Sequence, residues 1–409
     1  MKEDTARQPS IINKFLYNST WRGWLFQALV LLGLLGFFSW IVYNTVSNLQ
    51  RLDKKSGFDF LTQRAGFEIL DSPGVRLMDY APGVSTYLDV FWVGAINTIT
   101  VAILGIIAAT LLGFLVGVMR LSKNRIFSTV ATVYVEIFRN IPLLLQLFFW
   151  YFFALRAVPE LRERWSLFGG LGGINKSGLY LPAPLFEQGF GYVALAFVLG
   201  LAGCWLYARF ATARQFATGR RPPTVPVYLL LLIGIPLIVF WVQGAPLSWE
   251  LPVFREDGPI LRRGYQADAG MVLKPEFIGL WLALSLYTAS FIAEIVRAGI
   301  LAVPHGQTEA SQALGLSSNM AQRLVIIPQA LRVIVPPLTS QFLNLTKNSS
   351  LAVAIAYPDI VSVFAGTALN QIGQEIEMIF MMMMLYLILS LLTSLFMNWF
   401  NARIRLVER

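Results

Sequence analysis

Long apolar runs separated by short charged segments make up most of this chain. A hydrocarbon core about 30 Å thick needs roughly 20 apolar residues per helix, and eight runs meet or approach this length. The pattern therefore predicts an all-α integral membrane protein with about eight transmembrane helices, at residues 24–46, 88–118, 130–155, 189–208, 225–242, 277–302, 328–348 and 376–400.

The composition supports a membrane location and argues against several other classes. Hydrophobic residues make up 56% of the chain and charged residues only 13%, which is too apolar for an ordinary soluble domain. The net charge of +9 could suit a nucleic-acid-binding protein, but the basic residues flank the apolar runs instead of forming one patch. One histidine and one cysteine cannot build a metal site or a nucleophilic catalytic cluster.

The basic residues predict the orientation of the chain in the membrane. Arg120, Lys123 and Arg125 follow the second run, and the densest cluster, four arginines within 209–221, follows the fourth. Cytoplasmic segments of membrane proteins are enriched in lysine and arginine. Eight spans with both termini in the cytoplasm place every basic cluster on the cytoplasmic side.

The same pattern predicts the organisation of the chain. A cytoplasmic N-terminus (1–23) and a first anchor helix (24–46) precede a periplasmic loop (47–87), and a transmembrane domain (88–400) precedes a cytoplasmic tail (401–409). Within that domain, an insertion at 156–276 contains two extra helices. The segment 349–374, whose apolar part is too short to span the membrane, is either re-entrant or interfacial, and the sequence does not determine its structure.

A short cytoplasmic loop at 303–328, with the sequence PHGQTEASQALGLSSNMAQRLVIIP from residue 304, itself has a helical pattern. Ala310, Ala313 and Leu314 recur at i, i+3 and i+4 and form a narrow apolar stripe. Glu309 is expected in the first turn, where a negative charge favours the helix dipole, and Gly315 is expected as a C-terminal cap. Such a helix has little to bury against its own chain and fits into a groove of a partner.

This loop resembles the EAA loop of ABC-importer permeases, in which EAA is followed by three residues, a glycine, nine residues and I-x-L-P. Glu309-Ala310-Ser311 and Gly315 hold the first positions, with serine in the third place, and Val325, Ile327 and Pro328 hold the last. The resemblance implies a type I ABC importer transmembrane domain, in which this helix is the coupling helix seated in a cleft of a cytoplasmic ATPase. The residues implied to couple to the ATPase are Glu309, Ala310, Ser311, Ala313, Leu314 and Gly315.

Four further segments, which begin at Asn97, Tyr134, Ser285 and Leu345, resemble the polar amino-acid subgroup of these permeases. The whole chain is similar to the larger permeases of general L-amino-acid importers. This implies a bacterial inner-membrane heterodimer with a second homologous permease, two ATP-binding subunits, a periplasmic amino-acid-binding protein and an amino-acid substrate, surrounded by lipid.

The resemblance also implies that ATP and Mg²⁺ bind to the partner ATPase, and the chain itself has no phosphate-binding loop of the form G-x-x-x-x-G-K-[ST]. The nearest stretch, residues 170–177, has Asn175 where the second glycine belongs. No cofactor is therefore expected on this chain.

Charged and polar side chains inside the spans indicate a second candidate site, because such residues in a membrane usually face a cavity or a partner. Helical spacing places each set on one face of its span. Two interpretations remain open: the faces line the translocation path, or their charges neutralise each other for packing or for a gate between subunits. The residues are Tyr287, Ser290, Glu294 and Arg297 on the sixth span, Glu136 and Arg139 (with Asn140) on the third, and Asn344 and Lys347 on the seventh.

Two other classes of protein compete with the permease. An ion-coupled secondary transporter would show duplicated halves or paired broken helices, and no such symmetry is visible. A membrane enzyme would need a catalytic cluster in its spans. The sequence does not show which amino acids are carried, whether the substrate site lies on this chain or its partner, or which permease is the partner.

Overall fold

A computed structural model describes residues 19–51, 56–257, 259, 263–266 and 269–404. Residues 1–18 of the predicted N-terminal segment, 52–55 of the predicted periplasmic loop and 405–409 of the predicted tail lie outside the described residues. The described helices are α1 (Ser19–Arg51), α2 (Pro73–Leu77), α3 (Tyr87–Arg120), α4 (Arg125–Asn140), α5 (Leu143–Ala157), α6 (Phe190–Thr218), α7 (Val225–Val242, with a π turn at Leu230–Gly234), α8 (Pro275–Leu301), α9 (His305–Ala313), α10 (Ser318–Ala321), α11 (Ile327–Asn348), α12 (Leu369–Ile372) and α13 (Glu375–Ile404).

Six of the described helices are long and apolar enough to cross a membrane, namely α1, α3, α6, α7, α8 and α13. The third predicted span is a pair of helices, α4 and α5, that meet at 109° and make a seventh span if counted together. Helix α11 coincides with the seventh predicted run, but it contains Pro336, Pro337 and several polar residues and is not among the six. The expectation of about eight spans is therefore corrected to six, or seven with the bent pair.

The bend between α4 and α5 has a local cause. Pro142 disfavours helical geometry in the residue before it, and Ile141 is extended, with φ −98° and ψ 131°. The buried side chain of Gln146 donates to the carbonyl oxygens of Phe138 at 2.8 Å and of Ile141 at 2.9 Å. Because these bonds satisfy backbone groups that the break leaves free, the bend is a stable feature of the fold.

The all-α expectation is wrong for the insertion, which contains β-structure. Strands β1, β2, β3 and β8 form a four-stranded antiparallel sheet in that order, and β4–β5 and β6–β7 form two further antiparallel pairs. The stretch resembling a phosphate-binding loop is a hairpin, since Asn175 pairs with Gly178. The strands are β1 (Trp165–Leu167), β2 (Gly172–Asn175), β3 (Gly178–Leu181), β4 (Ala183–Phe186), β5 (Leu247–Glu250), β6 (Phe254–Arg255), β7 (Gly264–Tyr265) and β8 (Met271–Leu273).

The segment left undetermined by the sequence folds into the helical core. It forms a 3-10 turn (Ser349–Ile355) and a π turn (Val361–Ala368), between which Tyr357 and Ile360 are fully buried. The buried side chain of Asn97 on α3 donates to the carbonyl oxygen of Pro358 at 2.8 Å. The segment is thus fixed against α3 and is not a separate surface helix.

Helices α3 and α8 pack closely against each other at two glycines of α3. A Cβ atom on Gly113 would lie 2.6 Å from Cβ of Ile292, and one on Gly117 would lie 2.7 Å from Cβ of Val296. Small residues at such positions let helix backbones come close together in a membrane, where packing is the main source of association. The α3–α8 pair therefore forms the centre of the helical core.

Substituting Gly113 with alanine is expected to lower the free energy of unfolding by about 1–3 kcal/mol, because the added methyl group must displace Ile292 or separate the two helices. Thermal unfolding of the purified protein measures this effect. The matched control is Gly36→Ala on α1, where an added Cβ has nothing within 4 Å. Equal melting temperatures for the two variants would contradict the close packing of α3 against α8.

Candidate functional site

Helix α9 presents an apolar face that its own chain does not cover. Ala310, Ala313 and Leu314 are exposed, and the side chain of Leu314 is 81% exposed. Ser311, about 100° around the helix from Ala310, is only 2% exposed, and its hydroxyl donates to the carbonyl oxygen of Thr308 at 2.7 Å. The helix thus lies on the rest of the chain through one face and leaves the apolar stripe free.

Gly315 ends α9 as the sequence predicts. Its φ of +76° is left-handed, a conformation that favours glycine. The amide of Gly315 donates to the carbonyl oxygen of Gln312 at 2.9 Å, and the amide of Leu316 donates to that of Ser311 at 3.1 Å. These two bonds are those of a Schellman C-cap, which fixes both the length of the helix and the direction of the chain after it.

Glu309 does not lie in the first turn, so that expectation is wrong. The helix begins at His305, and Glu309 is its fifth residue. Nδ1 of His305 lies 3.0 Å from Oε1 of Glu309, one turn away, and both side chains are exposed. The Glu309 carboxylate is therefore held at the edge of the apolar stripe, where a partner can reach it.

Helix α9 is connected to two long helices. Three residues join it to the end of α8, and the amide nitrogen Nε2 of Gln329 on α11 donates to Oε1 of Gln307 at 3.2 Å. A π turn at Gln322–Ile326 joins α10 to α11 without a break. A displacement of α9 would therefore be transmitted to both α8 and α11.

Glu294 is the centre of a charged cluster at the predicted cytoplasmic end of α8. It pairs with Arg297 at 2.6 Å and with Arg120, the last residue of α3. The side chains of Arg120, Glu294 and Arg297 are 12%, 26% and 33% exposed, respectively. One carboxylate thus faces two guanidinium groups, so the cluster keeps a net positive charge in a partly dry environment, where the charges are only weakly screened.

The structure brings the two predicted charged faces on α4 and α8 next to each other. The guanidinium group of Arg139 lies over the ring of Phe291 on α8, 5.3 Å from its centroid. The hydroxyl of Tyr134 donates to the carbonyl oxygen of Leu286 at 2.6 Å. On α8, Ser290 is buried and donates to the carbonyl oxygen of Tyr287 at 2.6 Å, so its hydroxyl is used within the helix.

The predicted pairing within α4 does not form in the described structure. Glu136 and Arg139 are both exposed and do not pair, and Glu136 instead accepts hydrogen bonds from Asn140 through its backbone and side-chain oxygens. The interpretation of an intrahelical salt bridge is therefore supported for Glu294 and Arg297 but not for Glu136 and Arg139.

Asn344 and Lys347 lie far from the Glu294 cluster. Leu345, beside Asn344, packs against Gly105 of α3, whereas Glu294 pairs with Arg120 of the same helix. Those two positions are fifteen residues, or about 22 Å, apart along α3. Lys347 instead lines a separate cavity with Met382, Met383 and Tyr386 of α13, so the predicted pathway residues form two groups at different depths.

Sequence reasoning missed Arg120 as a site residue, because its place after an apolar run was interpreted only as a sign of orientation. It also missed Asp359, which is fully buried and accepts hydrogen bonds from the amide of Ser362 at 2.8 Å and the hydroxyl of Tyr386 at 3.4 Å. The carboxylate of Glu294 within a predicted span was the available signal for Arg120, since a charge in a span needs a partner.

Comparisons with known proteins agree with this architecture. Residues 222–406, which contain α8, α9 and two members of the charged cluster, Glu294 and Arg297, match the family described as binding-protein-dependent transport system inner membrane components. The chain is 50% identical over 392 residues to the putative amino-acid ABC transporter permease protein YhdX of Escherichia coli (strain K12), with 96% of each chain covered.

Two further relatives extend over the same length. The general L-amino acid transport system permease protein AapQ of Rhizobium johnstonii is 48% identical over 394 residues, which cover 96% of this chain and 95% of AapQ. The glutamate/glutamine/aspartate/asparagine transport system permease protein BztB of Rhodobacter capsulatus is 39% identical over 429 residues, with 97% of each chain covered. The chain therefore belongs to the amino-acid ABC transporter permeases, which have the type I importer fold and are transport subunits of ATP-driven importers, not enzymes.

Proposed function

We propose that this chain forms the translocation pathway of a bacterial inner-membrane importer together with a second, homologous permease. Two copies of a separate ATP-binding subunit bind ATP and Mg²⁺, and a periplasmic protein delivers the amino acid. Because the chain belongs to the ABC permeases, the alternative of an ion-coupled secondary transporter is excluded.

The observation that carries this proposal is the exposed apolar stripe of α9, beside the face that packs on the chain. A short capped helix with Ala310, Ala313 and Leu314 uncovered has the form of a helix that seats in a groove. Closure of the ATP-binding subunits would move α9 as a rigid lever. The direct link to α8 and the Gln307–Gln329 hydrogen bond would pass this movement to the helices that carry the pathway residues.

The proposed cargo is a range of L-amino acids. Support comes from the names of two relatives, one a general L-amino-acid permease and the other a permease for glutamate, glutamine, aspartate and asparagine. Within the chain, Tyr287, Glu294 and Arg297 offer a carboxylate and a guanidinium group to the α-amino and α-carboxylate groups of any amino acid. Recognition of groups shared by all amino acids would permit a broad range of side chains.

Reconstitution tests the assembly and the cargo together. This chain is co-expressed with a homologous permease, the ATP-binding subunit and the binding protein, and ATP-driven uptake of acidic, basic and neutral L-amino acids into vesicles is measured. We expect uptake of several classes only when both permeases are present. Full uptake by complexes that contain two copies of this chain would contradict the heterodimer.

A further inference from the structure

The two extra helices, α6 and α7, form an antiparallel hairpin with most of its surface uncovered. A Cβ on Gly200 would collide with the carbonyl oxygen of Leu231, so the helices are in close contact there. Near the other end, the hydroxyl of Tyr207 donates to the carbonyl oxygen of Pro223 at 3.2 Å. Only 6% of the apolar window of each helix is buried, so the hairpin faces its surroundings.

Helix α6 is longer than a membrane requires. Its 29 residues extend about 43 Å, which is about 13 Å more than the hydrocarbon core of a bilayer. Counted from Phe190, Arg209 is the twentieth residue and lies where the hydrocarbon would end. With Phe190 placed at the other edge of the hydrocarbon, the last two turns of α6 and the chain that leads to α7 fall at the level of the lipid headgroups.

This end of the hairpin is strongly and exclusively basic. No acidic residue occurs between Glu187 and Glu250, whereas four arginines do. All four are exposed, and in the part of the chain that the structure describes none of them forms an ion pair. The arginines are Arg209, Arg214, Arg220 and Arg221.

Exposed aromatic rings accompany these charges. The guanidinium group of Arg209 lies 4.1 Å from the ring centroid of Trp205, and that of Arg214 lies 6.0 Å from the ring centroid of Phe210. Trp205 and Phe210 are exposed, as is Phe216 in the following turn. Aromatic rings beside arginines are typical of the boundary between hydrocarbon and headgroups, where the ring stays in the apolar layer and the cation reaches out of it.

We propose that this basic end, residues 205–228, binds the phosphate groups of anionic phospholipids and so anchors the hairpin to the lipid around the transporter. Guanidinium groups form paired hydrogen bonds with phosphate oxygens, and four of them without a nearby acid give a strong local attraction for anions. The orientation of the protein in the membrane is enough to explain why this end is basic. It does not explain why the arginines are unpaired and lie against aromatic rings, an arrangement that leaves their guanidinium groups able to bind a lipid headgroup. Each arginine contributes about fivefold to the affinity for an anionic surface.

Cross-linking of lipid to the complete transporter tests this proposal. The complex is reconstituted in phosphatidylcholine vesicles that contain a photoactivatable phosphatidylglycerol, and the cross-linked peptides are identified by mass spectrometry. We expect peptides from 205–228 to be labelled more strongly by phosphatidylglycerol than by a photoactivatable phosphatidylcholine. Because the attraction is electrostatic, the difference should fall as the salt concentration is raised from 0.05 to 0.5 M.

Matched variants identify the cause of the labelling. Replacing the four arginines with glutamine should remove most of the preference, whereas replacing them with lysine should retain it and also preserve the orientation signal. A control variant with four arginines changed to glutamine in the extracytoplasmic regions, at Arg64, Arg156, Arg162 and Arg255, should leave it intact. Equal labelling of 205–228 by the two lipids in the wild-type complex, or no labelling of 205–228 by either lipid, would overturn the proposal.

Discussion

Replacing Glu309 with lysine is expected to reduce ATP-driven amino-acid uptake more than tenfold and to release the ATP-binding subunit from the solubilised complex. The Glu309 side chain is 69% exposed and lies at the edge of the apolar stripe of α9. Reversal of its charge places a cation against a groove that would otherwise meet a carboxylate, and loss of one central interface contact costs about 2 kcal/mol or more. Affinity capture of the permease, followed by quantification of the ATP-binding subunit, measures the effect.

The control for this variant is His305→Gln. It removes the contact between Nδ1 of His305 and Oε1 of Glu309 but keeps the Glu309 carboxylate. Uptake near the wild-type rate in this control would show that Glu309 acts on a partner and not through the stability of α9. If Glu309→Lys retains both its ATP-binding subunit and its transport rate, α9 is not the coupling helix.

Features that depend on short stretches of sequence could be predicted. Helix α9 and its cap at Gly315 follow from the spacing of three apolar residues and from a glycine that accepts positive φ. The first residue of α9 could not be predicted, because Pro304 is compatible with a helix that starts at any of several residues after it. The helix starts at His305, and Glu309 therefore lies one turn later in it than expected.

Very short strands, and contacts between residues far apart in the sequence, could not be predicted. The strands of the insertion have two to four residues each, too few for an alternating pattern to be distinguished from a polar loop. One of the two partners of Glu294 is Arg120, which is 174 residues away in the sequence. The sequence predicted one continuous span at 130–155 although it contains Pro142, and the Gln146 hydrogen bonds that stabilise the bend there are a property of the folded chain.

Replacing Glu294 with glutamine is expected to have the second-largest effect, a reduction in uptake of about tenfold or more. The substitution leaves Arg120 and Arg297 close together without a counterion, which costs about 2 kcal/mol at this level of burial. The Arg297→Gln variant should be milder, because Glu294 keeps Arg120 as its partner. Uptake into vesicles, normalised to the amount of correctly inserted protein, gives the comparison.

The double variant Glu294→Gln with Arg120→Gln separates the two interpretations of this cluster. If Glu294 only neutralises charge, removal of Arg120 with it returns the cluster to its original net charge and leaves no pair of adjacent arginines, and uptake should recover towards the wild-type rate. If the Glu294 carboxylate binds the α-amino group of the substrate, uptake should stay low although the folded protein is recovered in normal yield. Both carboxylate oxygens of Glu294 accept from arginines. We expect the second outcome, because the side chain is still 26% exposed, so that an α-amino group can reach it and replace one of these contacts. Wild-type uptake by the correctly inserted Glu294→Gln single variant would exclude both roles.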